Sequence, residues 1–102
     1  SSAASDVYKR QGLGLIVFIS ISVSTHSKDW ADKFAKVIDS LPQVQSAYRT
    51  SGNQDYLIKA RVGNVQAYDD LYQRLISQIE LADVSASFVM EELKNTTELP
   101  LP

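Results

Sequence analysis

The chain contains no cysteine. Thiol catalysis, disulfides and sulfur-ligated metals are therefore excluded, and the absence fits a reducing, cytoplasmic setting. It has one histidine, His26, placed between Thr25 and Ser27 in a polar segment. No nucleophile or orienting group accompanies it in the sequence, so it reads as a solvated loop residue rather than a member of a triad. The four glycines do not form a phosphate-cradling loop. Basic charge is also scarce: 10 Lys and Arg against 12 Asp and Glu give a net charge of −2, with a pI near 5.2. This chain alone is thus a poor binder of phosphate backbones, and no direct DNA contact is expected of it. The longest apolar run, "LGLIVFISISV" (residues 13–23), is too short and too rich in serine to cross a bilayer. No secretory signal is evident, so no membrane partner is expected.

What is present fits a single soluble globular domain of 102 residues, 44% apolar and 22% charged. Residues 1–11, "SSAASDVYKRQ", share neither period nor composition with the rest and read as a non-native leader. The domain proper is then expected over residues 12–102.

Leu13, Leu15, Val17, Ile19, Ile21 and Val23 form an unbroken apolar face at period two. Ile16 and Phe18 make the first half of this strand apolar on its second face as well. Ser27 can cap a helix with an apolar stripe of Trp30, Phe34, Val37, Ile38 and Leu41, which Pro42 stops. Alternation over residues 44–50 predicts a half-buried strand, and Ser51-Gly52-Asn53-Gln54 carries turn chemistry. Tyr56, Ile58, Ala60 and Val62 then line one face of a strand whose other face holds Lys59 and Arg61. Asn64 can cap a second helix with a stripe of Tyr68, Leu71, Tyr72, Leu75 and Ile79. A last strand is expected from about Val84 to Leu93.

The resulting order, βαββαβ, predicts a ferredoxin-like α+β sandwich: a four-stranded antiparallel sheet with both helices on one face. The other face is left bare, with Ile16 and Phe18 on it, and dimerisation through the sheet is the economical way to cover it.

Enzymatic constellations are thin. Glu91 and Glu92 would point to opposite faces of a strand and cannot act as a pair. Asp69 and Asp70 suit the first turn of a helix, where negative charge favours the dipole. Asn95-Thr96-Thr97 matches a glycosylation sequon, a chance match without secretion. No catalytic, metal or cofactor site emerges. An RNA-binding sheet of this topology would display aromatics amid basic charge, which is not the pattern here.

The tip at Gly52 to Asp55 is different in kind. A glycine-bearing turn can direct backbone N–H groups at a carboxylate, Asn53 and Gln54 offer amides, and Asp55 can accept from an ammonium. A turn alone would serve equally well: Gly52 supplies a positive φ and Asp55 bonds nearby N–H groups.

Ser-Gly-x-x-Asp-Tyr and Lys-x-Arg-Val in "SGNQDYLIKARV", then Val-Met-Glu in "FVMEELKNTTELPL", occur in that order, with the spaced Tyr68 and Leu71 between them, and together carry a family resemblance. From about Gly12 to Leu101 the chain resembles the C-terminal effector-binding (RAM) domain of Lrp/AsnC transcriptional regulators. The resemblance implies a βαββαβ domain that dimerises through its sheet, dimers that gather into larger assemblies, and a small effector, usually an amino acid, held where dimers meet. By matched position it puts Gly52, Asn53, Gln54, Asp55 and Tyr56 at that site, with Ser87 and Val89 from the last strand. Family members usually carry an N-terminal helix-turn-helix domain that binds DNA, and no such segment is in this sequence. The leader favours a truncated regulator over a stand-alone effector-binding protein. The rivals from other classes are a small dimeric α+β-barrel enzyme and a purely structural oligomerisation module.

Overall fold

The computed structural model of the protein describes residues 14–24, 26–96 and 100. The leader expected over residues 1–11, the end of the "TTELPL" tail and Thr97 of the sequon lie outside the described residues. Six elements follow in order: β1 (Leu15–Ser22), α1 (Lys28–Asp39), β2 (Val44–Arg49), β3 (Tyr56–Val62), α2 (Val65–Gln78) and β4 (Asp83–Phe88). The strands form one sheet in the order β2-β3-β1-β4, every pairing antiparallel. This is the expected ferredoxin-like arrangement.

The period-two face of β1 drives the packing. Val17, Ile19 and Ile21 are at most 2% exposed, and they meet Ile58, Ala60 and Val62 of β3 with Phe34, Val37, Leu71 and Leu75 of the helices. Both helices therefore lie over this one face. Burying an aliphatic side chain of this size stabilises by about 1.5–3 kcal/mol. The caps act as the sequence predicts: Ser27 Oγ accepts from the Trp30 N–H at 3.0 Å, and Asn64 Oδ1 accepts from the Ala67 N–H at 2.8 Å. Where β1 enters the sheet, a Cβ on Gly14 would sit 2.9 Å from the Gly63 carbonyl oxygen, so only glycine fits there.

Three expectations are corrected. In β2 the register shifts between Val44 and Ser46. Val44 pairs with Ala60 on the helix side, whereas Ser46 and Tyr48 pair with Lys59 and Leu57 on the open side. A bulge breaks strict alternation, so one strand supplies both faces out of phase. Strand β4 ends at Phe88 rather than Leu93; among the described residues its pairing with β1 closes with the bond from Val89 N–H to Ile16 O at 2.9 Å. Finally, α2 begins at Val65 and has no acidic residue in its first turn. Asp70 instead accepts from the Gln66 amide at 3.3 Å, one turn along the helix.

Candidate functional site

The hairpin joining β2 to β3 is closed by two bonds at its neck. The Thr50 N–H donates to the Asp55 carbonyl at 2.9 Å, and the Thr50 hydroxyl donates to the Gln54 carbonyl at 2.8 Å. Between them Gly52 takes φ +117°, a conformation other L-residues rarely adopt. Ser51, Gly52 and Asn53 are exposed at the tip.

Long-range bonds fix the tip to the end of β1. The Asp55 N–H donates to Ile21 O at 2.9 Å, and the Val23 N–H donates to Asp55 Oδ2 at 2.9 Å. The Ser22 hydroxyl donates to Gln54 Oε1 at 2.9 Å. With Oε1 engaged as an acceptor, the Gln54 side chain keeps two NH₂ donors. His26 Nε2 lies 3.8 Å from Asp55 Oδ1, and the Asp55 side chain is 28% exposed. Asp55 is thus half committed: one oxygen holds a backbone N–H and the other faces His26 and solvent.

Tyr56 follows Asp55 but points the other way. Its ring packs against Phe34 at 4.8 Å and Trp30 at 5.6 Å between centroids, on the helix side of the sheet. Trp30 is itself held by a bond from its indole N–H to Glu80 O at 2.9 Å. Tyr56 therefore anchors the hairpin from beneath.

Ser87 and Val89 are not brought to the tip within one chain. Ser87 lies opposite Phe18 on β1, and Val89 bonds Ile16, whereas Tyr56 next to the tip lies opposite Ile21. Ile21 lies three steps along the strand from Phe18, about 10 Å. Gly52, Asn53, Gln54 and Asp55 form one cluster; Ser87 and Val89 form another, beside the open sheet face.

Two members of the tip cluster, Ser22 and His26, were not legible as partners. Both are far along the chain from the turn, 32 positions in the case of Ser22 and Gln54. No local signal joins them. Elsewhere, Tyr68 on α2 has its hydroxyl pKa raised above the usual 10.0, first by burial and then by Tyr72 and Asp69. Among the described residues no group of three or more His, Asp or Glu is arranged to hold a metal ion. No helix among them is long and apolar enough to cross a membrane.

In sequence and in fold the chain is similar to proteins of one family. The sequence profile of the Lrp/AsnC ligand binding domain matches residues 16–99. The glutamate uptake regulatory protein of Zymomonas mobilis is 48% identical over 91 residues, which are 89% of this chain and 56% of that protein. The DNA-binding transcriptional activator DecR of Escherichia coli is 40% identical over 91 residues, covering 88% and 60%. An AsnC family transcriptional regulator from Agrobacterium tumefaciens superposes with a TM-score of 0.82 at 42% identity, over 91% of this chain and 61% of that one. A transcriptional regulator from Neisseria meningitidis, solved as a complex with L-methionine, gives 0.81 at 33% identity, over 91% and 60%. The chain thus spans less than two thirds of the length of these relatives. These relatives are transcriptional regulators rather than enzymes. By sequence profile and by fold, the chain belongs to the Lrp/AsnC family as its ligand-binding domain.

Proposed function

We propose that this domain is the sensing part of an Lrp/AsnC-type transcription regulator, taking a free amino acid at the hairpin tip and answering with a change of assembly. The observation that carries the reading is the tethered tip: Gln54 and Asp55 are held to Ser22 and Val23, with the Gln54 NH₂ and Asp55 Oδ1 not used in those bonds. The Gln54 NH₂ and the N–H groups around Gly52 suit a carboxylate, and Asp55 Oδ1 suits an ammonium. Asn53 adds an adaptable amide, and Tyr56 holds the hairpin in place. The methionine bound by the Neisseria relative supports an amino acid as the class of effector.

Assembly begins with a homodimer through the open sheet face. Ile16 and Phe18 are only half covered there, and Met90 and Leu93, just after β4, are 94% and 86% exposed. Such an apolar surface calls for a partner. Ser87 and Val89 then reach an effector across an interface, from another subunit than the one supplying the tip. Seating a ligand between subunits favours the assembly that builds the pocket. DNA is bound by a helix-turn-helix segment outside this sequence, and the regulator works in the cytoplasm.

The test is a thermal-shift screen of the twenty amino acids with light scattering on each sample. One or a few amino acids should raise the melting temperature and alter the scattering mass. A flat screen with constant mass would leave a purely structural oligomerisation module as the better reading.

A further inference from the structure

A cleft opens on the helix side of the sheet, beside the neck of the hairpin. Strand β2 is one of the two outer strands of the sheet, flanked by α1. Ala31 and Ala35 stand one turn apart on α1, and Ala47 lies on β2; with side chains this short the two elements leave a cleft of about 320 Å³. Phe34 and Tyr56 form part of its apolar wall, and Arg49 is the only charged residue lining it. Arg49 lies opposite Tyr56 in the β2–β3 register. Its guanidinium makes no ion pair or side-chain hydrogen bond among the described residues.

We propose that this cleft binds a small carboxylic acid with a compact apolar body and no ammonium group. The volume lies near the lower end for small-molecule sites, which suits a molecule of amino-acid size and not a peptide. The apolar body would lie against Tyr56 and the methyl groups of Ala31, Ala35 and Ala47. The carboxylate would take the planar fork of Arg49, which matches its geometry in a way lysine would not. An α-ammonium would be stranded, because the lining offers no carboxylate to receive it. The cleft and the tip therefore select different chemistry. A carboxylate held on an arginine needs no ammonium acceptor, whereas the tip has one in Asp55. This inference does not rest on the amino-acid reading of the tip.

The test is amide NMR on ¹⁵N-labelled protein titrated with 3-phenylpropanoate and 4-methylpentanoate, and separately with the corresponding neutral amides. The acids should give saturable shifts at Ala31, Ala35, Ala47 and Arg49, and the amides should bind about tenfold more weakly or worse. Arg49→Gln should reduce the acids to the level of the amides. Ala35→Leu should fill the cleft and abolish the shifts while leaving the melting temperature close to that of the wild type. Equal binding of acid and amide, an unchanged response in Arg49→Gln, shifts confined to Gly52–Asp55, or no shifts at all would each overturn the proposal. An amino-acid response at the tip is read in a different experiment and can stand or fall independently.

Discussion

The backbone N–H of Val23 donates to Oδ2 of Asp55 at 2.9 Å, joining the end of β1 to the base of the hairpin across 32 positions of sequence. This one bond gives Asp55 a structural task alongside any contact with a ligand. The two tasks use different oxygens, since Oδ1 is the one that faces His26. Substitutions that remove the charge and substitutions that remove the acceptor should therefore have different effects.

Asp55→Ala removes both, leaving the Val23 N–H without its acceptor and costing about 1–3 kcal/mol. Asp55→Asn keeps an oxygen for Val23 and loses only the charge, so its stability should fall by less than half as much. Urea denaturation measures the first effect and the amino-acid thermal shift the second. If Asp55→Asn retains the full amino-acid response, Asp55 is not the ammonium acceptor.

Gly52 is the one described residue in a left-handed backbone conformation, at φ +117°. Nothing lies within 4 Å of the place a Cβ would occupy. Gly52→Ala therefore suffers from backbone strain and not from a clash, at about 1–2 kcal/mol. The neighbouring Asn53→Ala should change stability by less than about 0.5 kcal/mol. Equal unfolding midpoints for the two variants would show that the turn adapts freely.

Much of this framework was legible because it is local. The alternation of Val17, Ile19 and Ile21, the stripe of Leu71 and Leu75, and the caps Ser27 and Asn64 each declare their structure within a few residues. The bulge between Val44 and Ser46 was hidden, because it is defined by what β3 offers opposite. The early end of β4 was hidden too: "VMEEL" still looks like a strand, but its pairing with β1 stops at the bond from Val89 N–H to Ile16 O. At the candidate site the turn chemistry was visible in "SGNQD", while its tethers to Ser22 and Val23 are tertiary. Arg49 looked like an ordinary exposed position of an alternating strand. Only the short side chains of Ala31 and Ala35, brought opposite by the fold, make it the charged end of a cleft.

Tyr68 offers a pH test of α2. Its ring meets Phe88 edge-on at 5.4 Å and stacks near Tyr72 at 6.2 Å. Burial, then Tyr72 and Asp69, raise its pKa above 10.0 in the folded protein. The unfolded chain consequently loses this proton first as pH rises. The contribution of Tyr68 to stability is complete below pH 10.0 and is lost as pH climbs through the raised value. Tyr68→Phe should flatten that part of the alkaline decline in urea midpoint. An identical decline in both proteins would mean that other groups govern it.

The open sheet face gives the sharpest test of assembly. Phe18 lies opposite Lys59 of β3 and Ser87 of β4, on the face away from both helices. It is absent from the buried core, so a polar residue there leaves the packing between sheet and helices intact. In a dimer formed through this face, however, Phe18→Lys would bury an unpaired charge beside Lys59. The cost of such a charge is several kcal/mol, enough to weaken association by about a hundredfold or more. Ile76, 40% exposed on α2, lies on the helix layer and provides the control. Sedimentation at micromolar concentration should give a wild-type mass for Ile76→Lys and a monomer for Phe18→Lys. A Phe18→Lys protein that keeps its full mass would move the interface to another surface, and the contribution of Ser87 and Val89 from a second subunit would lose its basis.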